Sequence, residues 1–225
     1  MKYEPGTSDH GLPWDPFKSC VVPRPIGWIS SLSEDGVPNL APYSQFQNLG
    51  FNPPYVMYSA NPRPDGRKHS VTNAENTREF VWNLATFDLR DAVNKSAQEV
   101  DADVDEFELA GVTKAPSDIV APFRVAEAPV NFECVFHTSL RLPGNGPGGL
   151  GSADIVIGRV VMIHINDDYI GKDGKLDIPK YKPLARMGYY DYTAVENVFT
   201  INQAGGNRPG MEGRTGTKKL EGDGT

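Results

Sequence analysis

The sequence predicts a mainly β protein with inserted helices, an α+β chain built as an antiparallel β-barrel or sandwich. Its 225 residues include 19 prolines and 23 glycines, which disfavours a helical bundle and favours many short strands joined by turns. Several short runs are rich in β-branched and aromatic residues. The helical stretches between them show no regular βαβ alternation, so a doubly wound parallel sheet is disfavoured.

The first strands are expected after a polar, turn-rich segment of about 20 residues. Residues 26–33 are rich in β-formers, the Glu-Asp-Gly turn at 34–36 follows, and residues 37–41 complete a predicted hairpin. Another short strand is expected over 55–60, entered through two prolines.

Two helices are predicted between the next strands. Residues 67–78 contain neither proline nor glycine and lie between strand-like runs, which indicates a helix followed by a strand over 79–85. Residues 88–98 carry an apolar stripe at helical spacing, and Asp88 is a favourable N-cap.

An acidic run over 101–108 follows the second helix. It matches a calcium-binding loop only in charge, because it lacks the central glycine and the spacing to a terminal glutamate. The run is therefore interpreted as a solvated face.

A long hairpin is predicted from residues 130–142 and 154–165, with the glycine-rich segment 143–151 at its tip. Residues 144–149 satisfy a Gly-x-Gly-x-x-Gly pattern, but a strand rather than a helix follows, which disfavours a dinucleotide site. The segment 204–225 holds seven glycines. One domain over 1–203 and a flexible glycine-rich tail over 204–225 are expected.

Charge and composition exclude several classes of protein. The formal net charge of −7 argues against a nucleic-acid partner, which would require a basic face. No run approaches the roughly 20 apolar residues of a membrane span, and the N-terminus lacks an apolar signal core, so a cytoplasmic location without a membrane partner is expected. Cys20 and Cys134 are interpreted as reduced thiols. Four scattered histidines support no metal site.

Two stretches could bind a ligand. Residues 61–70 place Arg63, Arg67, Lys68 and a serine hydroxyl where a turn enters a helix, which suits one phosphate group but also describes a solvated basic turn. Residues 39–48 mix amide, hydroxyl and aromatic groups that could flank a flat polar ring, although an ordinary strand has the same composition.

These stretches resemble the flavin reductase-like family, whose fold is the FMN-binding split barrel. The resemblance extends over about 22–192 and rests on several ordered motifs. They are Pro-Arg-Pro-Ile-Gly-Trp-Ile-Ser-Ser at 23–31, Asn-Leu-Ala-Pro-Tyr-Ser-Gln-Phe at 39–46, the segments 67–83 and 105–112, and Glu133-Cys134. His69 departs from the family pattern, which commonly has Asp there, and the 143–151 insert is specific to this branch.

The resemblance implies FMN as the cofactor and a set of binding residues. Ser30 and Ser31 would line the cleft, and Ala60 and Asn61 would close one side. The isoalloxazine ring or ribityl chain would be flanked by Asn39, Ala41, Pro42, Tyr43, Ser44 and Phe46. The phosphate would be held by Arg67, Lys68 and Ser70. If 39–48 is one continuous strand, Ser44 and Phe46 share the face toward the ring.

The implied function is an NAD(P)H-dependent flavin reductase, an oxidoreductase in which hydride passes from NADH or NADPH to flavin N5. The flavin carries this chemistry, so no catalytic side chain is named. The family also implies a homodimer and a separate flavin-dependent monooxygenase as a possible partner. Two alternatives stay open, a self-contained FMN enzyme acting on a small organic molecule such as a nitroaromatic, and a flavin-binding protein without turnover.

Overall fold

The computed structural model describes residues 1–64, 66–146 and 151–201 as a mainly β fold with short helices. The strands are β1 (Arg24–Pro25), β2 (Gly27–Leu32), β3 (Pro38–Tyr43), β4 (Phe46–Phe51), β5 (Pro54–Ala60), β6 (Glu79–Leu84), β7 (Lys114–Ala115), β8 (Arg124–Val125), β9 (Val130–Leu142), β10 (Ala153–Ile165), β11 (Leu184–Gly188) and β12 (Asp191–Ala194). The helices are α1 (Phe17–Cys20), α2 (His69–Thr77), α3 (Arg90–Lys95), α4 (Glu106–Ala110) and α5 (Ile178–Tyr181), with a 3₁₀ turn at Asp167–Tyr169.

Seven strands form one antiparallel sheet in the order β3-β2-β6-β9-β10-β5-β4. The predicted hairpins are confirmed, since β2 pairs with β3, and β9 pairs with β10 along its length up to Leu142 opposite Ala153. A separate three-stranded sheet has the order β1-β11-β12, and β7 pairs with β8. The predicted mainly β class with inserted helices is thereby confirmed.

Both faces of the central strands are covered. One core cluster includes Ile29, Tyr58 and Phe80 together with Val71 of α2. The other cluster lies on the opposite side, where Trp28 packs with residues of α3, α4 and β11. Burial on two faces explains why β2 and β6 are nearly continuous runs of buried residues.

A close approach between strands requires glycine at position 158 of β10. A Cβ atom there would lie 2.4 Å from the ring of Phe80, and the pairing with β9 shifts register at the same point. Any side chain would therefore displace an aromatic ring at the centre of the core.

Three local expectations were wrong. Residues 39–48 are not one strand, because β3 ends at Tyr43 and β4 begins at Phe46. Helix α3 begins later than expected and has Leu89 rather than Asp88 at its N-cap. Part of the acidic run forms α4, where the Asp105 carboxylate accepts the Phe107 N–H at 2.9 Å as an N-cap.

Other predictions concern segments outside the described residues. Residues 147–150 of the predicted glycine-rich tip and the tail 204–225 both lie there. Within the described ranges, no helix is long and apolar enough to cross a membrane.

Candidate functional site

A cleft forms where the edge strand β3 meets the start of α2 and the segment 96–100. It brings together six of the residues predicted to bind a cofactor, which are Asn39, Ala41, Pro42, Tyr43, Lys68 and Ser70. His69 and Glu106 also line this cleft. Hydroxyl, amide and cationic groups therefore converge at one end of the sheet.

The start of α2 gives the cleft its positive end. Lys68 occupies the N-cap position with an extended backbone, and its own side chain makes no capping hydrogen bond. An uncapped helix start presents backbone N–H groups and the positive end of the helix dipole. The Lys68 ammonium lies 2.6 Å from Glu99, whose side chain is half exposed, so this contact is a surface ion pair.

A buried hydrogen-bond chain forms the floor of the cleft. The Tyr43 hydroxyl donates to Ser70 Oγ at 2.8 Å, and Ser70 Oγ donates to Asn39 Oδ1 at 2.8 Å. The Asn39 amide then donates to Glu106 Oε1 at 2.7 Å. Ser31 joins the chain through a 3.3 Å contact from its hydroxyl to Asn39 Oδ1. These side chains satisfy one another, so they shape the cleft.

Two groups in this chain have shifted pKa values. Burial raises the pKa of the Tyr43 phenol far above its ordinary value, which keeps it protonated and able to donate. Burial also raises the pKa of Glu106 to about 7, although hydrogen bonds from the Leu40 N–H and the Asn39 amide oppose the shift. The charge of Glu106 therefore changes near neutral pH.

Glu106 was not among the predicted site residues, because the acidic run around it was interpreted as a solvated face. That interpretation is wrong at this position, where the side chain is 4% exposed. Helix α4 turns Glu106 toward β3, and its second carboxylate oxygen accepts the Leu40 N–H at 3.1 Å. The signal available in the sequence was the family motif at 105–112, within which Glu106 and Phe107 are buried and Glu108 is exposed.

Arg67 lies in a different environment from Lys68. Its guanidinium contacts both oxygens of Glu75, at 2.6 and 2.7 Å, and both oxygens of Asp154, at 3.0 and 3.2 Å. The hydrogen bonds to Glu75, followed by those to Asp154, raise the pKa of Arg67. Two carboxylates therefore neutralise this cation and tie the loop before α2 to β10.

Ser30 and Ser31 point to opposite faces of β2. The Ser30 hydroxyl donates to the Phe123 carbonyl at 2.5 Å on the side away from α2, whereas Ser31 accepts a hydrogen bond from Asn73 at 3.2 Å. Alternation along a strand makes this separation unavoidable. The structure therefore associates Ser31, and not Ser30, with the cleft.

The remaining predicted residues lie beyond the cleft lining. Phe46 stacks on Trp82 with ring centroids 5.2 Å apart, and Ala60 belongs to the same buried cluster. The Asn61 amide donates to the Ser152 carbonyl at 3.2 Å. Ser44 faces a second concavity, since the backbone bends between β3 and β4.

A third polar cluster contains Asp118, Glu133 and His164, whose ligand atoms lie within 4.8 Å of one another. Both oxygens of Glu133 already accept hydrogen bonds, from the N–H groups of residues 118–120 at 2.7 to 3.0 Å and from His164 Nε2 at 2.5 Å. This buried carboxylate holds the 118–120 loop against β9, and its lone pairs are occupied by protein donors.

The fold is that of a split barrel, and comparisons with known proteins identify the family. A model described as "Flavin reductase like domain" matches residues 19–191, so the chain belongs to the flavin reductase-like family. An uncharacterized protein of Aquifex aeolicus is 34% identical over 76% of this chain and 84% of its own length. One of Halalkalibacterium halodurans is 31% identical, with 90% and 96% covered.

Solved structures agree with this assignment. Nitrilotriacetate monooxygenase component B from Bacillus cereus is 27% identical, with a TM-score of 0.80 over 89% of this chain and 98% of that one. The FMN-binding protein of Thermus thermophilus, at 19% identity and a TM-score of 0.67, shares the fold over 89% of this chain and 99% of its own. The predicted family and split-barrel fold are confirmed.

Proposed function

We propose that this chain is an NAD(P)H-dependent flavin reductase that binds FMN in the cleft between β3 and the start of α2. The observation that carries the proposal is Lys68 at the N-cap position of α2, without a capping hydrogen bond from its own side chain, beside a polar floor and the edge strand β3. Membership of the flavin reductase-like family supports the same assignment.

The phosphate end of FMN fits the charges at this site. Lys68 supplies a cation and α2 supplies backbone donors, the arrangement that binds phosphate at helix N-termini. The existing contact to Glu99 is a surface ion pair worth about 1 kcal/mol or less, so a phosphate can replace it at low cost. Arg67 would act indirectly, by holding the loop through Glu75 and Asp154.

The ring end fits the free edge of β3. The N–H of Leu40 points away from β2 and donates to Glu106. In an antiparallel strand, the N–H and C=O of one residue share a direction, so the carbonyls of Leu40 and Pro42 face outward as well. These carbonyls are suitable acceptors for the imide N–H of an isoalloxazine ring.

Bound FMN would supply the hydride-accepting chemistry, and the protein would supply binding and orientation. Tyr43 remains a protonated donor that fixes Ser70, and Ser70 in turn fixes Asn39. No side chain of the cleft is required to transfer a proton in this proposal. Glu106 positions the strand edge, and its charge state changes near pH 7.

The proposal includes a cytoplasmic homodimer and a separate oxygenase as the consumer of reduced flavin. Likeness to a monooxygenase component B at 27% identity supports the second point. The homodimer rests on the family resemblance. Purified protein that oxidises NADH or NADPH when free FMN is added supports the reductase, whereas a yellow protein that neither nicotinamide bleaches would be a flavin binder without turnover.

The test of the site is Lys68→Ala, compared with Lys95→Ala as an exposed cation of α3. Loss of a charge-assisted hydrogen bond should weaken FMN binding by about tenfold to a hundredfold. Riboflavin, which lacks the phosphate, should bind both variants as it binds the wild type. Equal loss of both flavins in Lys68→Ala contradicts the phosphate assignment.

Arg67→Ala distinguishes direct from indirect action. Because its guanidinium is held by Glu75 and Asp154, we expect it to weaken FMN and riboflavin to the same extent and to lower the melting temperature. A loss confined to FMN, at unchanged melting temperature, would show instead that Arg67 contacts the phosphate.

A further inference from the structure

A second concavity lies between the N-terminal segment and the sheet β1-β11-β12, apart from the cleft. We call it the arginine concavity. Its lining includes Trp14, Lys18, Arg24, Ser44, Arg186 and Tyr189. Three of these residues are cations and two are aromatic, a combination that the proposed flavin site does not use.

The two arginines are direct neighbours across strands. Arg24 of β1 and Arg186 of β11 are paired in register, and like charges directly opposite each other destabilise a sheet. In the part of the chain that the structure describes, neither guanidinium forms an ion pair with a carboxylate. Asp15 also lines the concavity, where its carboxylate accepts the Phe17 N–H at 2.9 Å. An unbalanced cation pair of this kind is stabilised by an anion.

Local hydrogen bonds hold both guanidinium groups in place without neutralising them. Arg24 donates to the carbonyls of Lys18 and Val21, and Arg186 donates to the Tyr189 carbonyl and to the Tyr192 hydroxyl. Within the described ranges, Arg24 Nε is buried without a hydrogen-bond partner. The cations are therefore preorganised, and donor capacity is left over.

Aromatic groups complete the wall. The Trp14 and Tyr189 rings lie edge to face at 6.2 Å, and both side chains are largely exposed, at 60% and 43%. Exposed aromatic rings beside arginines suit a flat ligand that carries a negative group. Ser44 links this concavity to the end of β3, next to the cleft.

We propose that the arginine concavity binds the anionic group of an aromatic ligand. The group is either the carboxylate of a small aromatic acid or the pyrophosphate of a nicotinamide dinucleotide. The anion site itself is independent of the proposed function. Only the further step, that the bound ligand reacts at the flavin, rests on FMN lying close to Ser44.

The test measures binding of benzoate and of neutral benzamide to the flavin-loaded protein by calorimetry. We expect Arg186→Gln to weaken benzoate binding by about tenfold or more and to leave benzamide unchanged. Arg159→Gln, an exposed arginine of β10, is the matched control and should bind both as the wild type does. In the second arm of the test, NAD⁺ replaces benzoate, and N-methylnicotinamide, which lacks the pyrophosphate, replaces benzamide.

If Arg186→Gln loses benzoate binding, the ligand of the arginine concavity is an aromatic acid. If it loses only NAD⁺ binding, the ligand is the dinucleotide. If neither ligand is affected by Arg186→Gln or by Arg24→Gln, the proposal is overturned. The same holds if the only effect is a change from dimer to monomer in size-exclusion runs, because the cations would then serve a subunit contact.

Two measurements keep the result interpretable. Arg24→Gln decides the test if Arg186→Gln fails to fold, and melting temperatures identify such a failure. Flavin content in the same preparations tests the proposed function separately, since protein that holds no flavin but still distinguishes benzoate from benzamide retains the anion site.

Discussion

Replacing Glu106 with glutamine should remove a loss of stability that the wild type undergoes as pH rises. The carboxyl is 4% exposed, and burial is the largest cause of its raised pKa of about 7. Hydrogen bonds from the Leu40 N–H and the Asn39 amide favour the charged form but do not outweigh burial. The folded protein therefore holds this proton to a higher pH than the unfolded chain does.

The sign follows from proton linkage. Below pH 4.5, the group is protonated in both states and its burial carries no charge penalty. Between pH 4.5 and about 7 the unfolded chain loses the proton first, so the free energy of unfolding falls as pH rises. At about 1.4 kcal/mol for each pH unit of this interval, the total loss is about 3 kcal/mol.

The assay is urea unfolding at pH 5, 6, 7 and 8, at one protein concentration. Between pH 5 and pH 8 the stability of Glu106→Gln relative to the wild type should rise by about 2–3 kcal/mol. Glu108→Gln removes a charge from the exposed side of the same helix and serves as the control. A constant difference between Glu106→Gln and the wild type across this range would refute the reasoning, even if the variant were uniformly less stable.

Other predictions test separate parts of the molecule. Burial raises the pKa of Glu133, but the hydrogen bonds from Asp118 N–H, from His164 and from the two following N–H groups together outweigh it and lower the pKa to about 2. Its stabilisation is complete above pH 4.5 and is lost as pH falls toward 2. The free energy of unfolding of Glu133→Gln should therefore fall by about 3 kcal/mol less than that of the wild type across this pH range. Ser44 faces the arginine concavity and lies outside the cleft lining, so Ser44→Ala should leave FMN affinity unchanged. A loss of about 0.5–1.5 kcal/mol in FMN affinity would show instead that the flavin reaches the bend after β3. Truncation after Gln203 should retain flavin in size-exclusion runs, and flavin lost on truncation would show that the tail contributes to the site.

Local patterns were enough to predict six of the seven strands of the large sheet, and the family. The runs at 26–33 and 130–142 alternate or concentrate β-formers, and their partners in the sheet lie close by in sequence, so hairpin pairing followed from turn residues alone. The ligand-binding stretches were found for the same reason, because the cations before α2 and the polar groups of β3 are each local in sequence.

Long-range contacts decided what could not be predicted. Asp154 contacts Arg67 across 87 positions of the sequence, and Glu106 contacts Leu40 across 66. Neither the neutralisation of Arg67 nor the burial of Glu106 is therefore visible in a local charge pattern. The bend after Tyr43 had no local marker of its own. It places Tyr43 and Phe46 in the same core, which a continuous alternating strand would have separated.

The buried chain from Tyr43 through Ser70 and Asn39 to Glu106 changes how the predicted binding residues should be understood. Their hydrogen-bonding groups contact one another, at 2.7 to 2.8 Å, so few remain for a ligand. What stays available is Lys68, the backbone at the start of α2 and the outward carbonyls of β3. The side chains of this hydrogen-bond chain therefore act by fixing the position of the edge of β3 relative to the start of α2. Glu106 is the member of this hydrogen-bond chain that titrates near neutral pH. The geometry of the cleft is therefore coupled to pH through a residue that need not touch the cofactor.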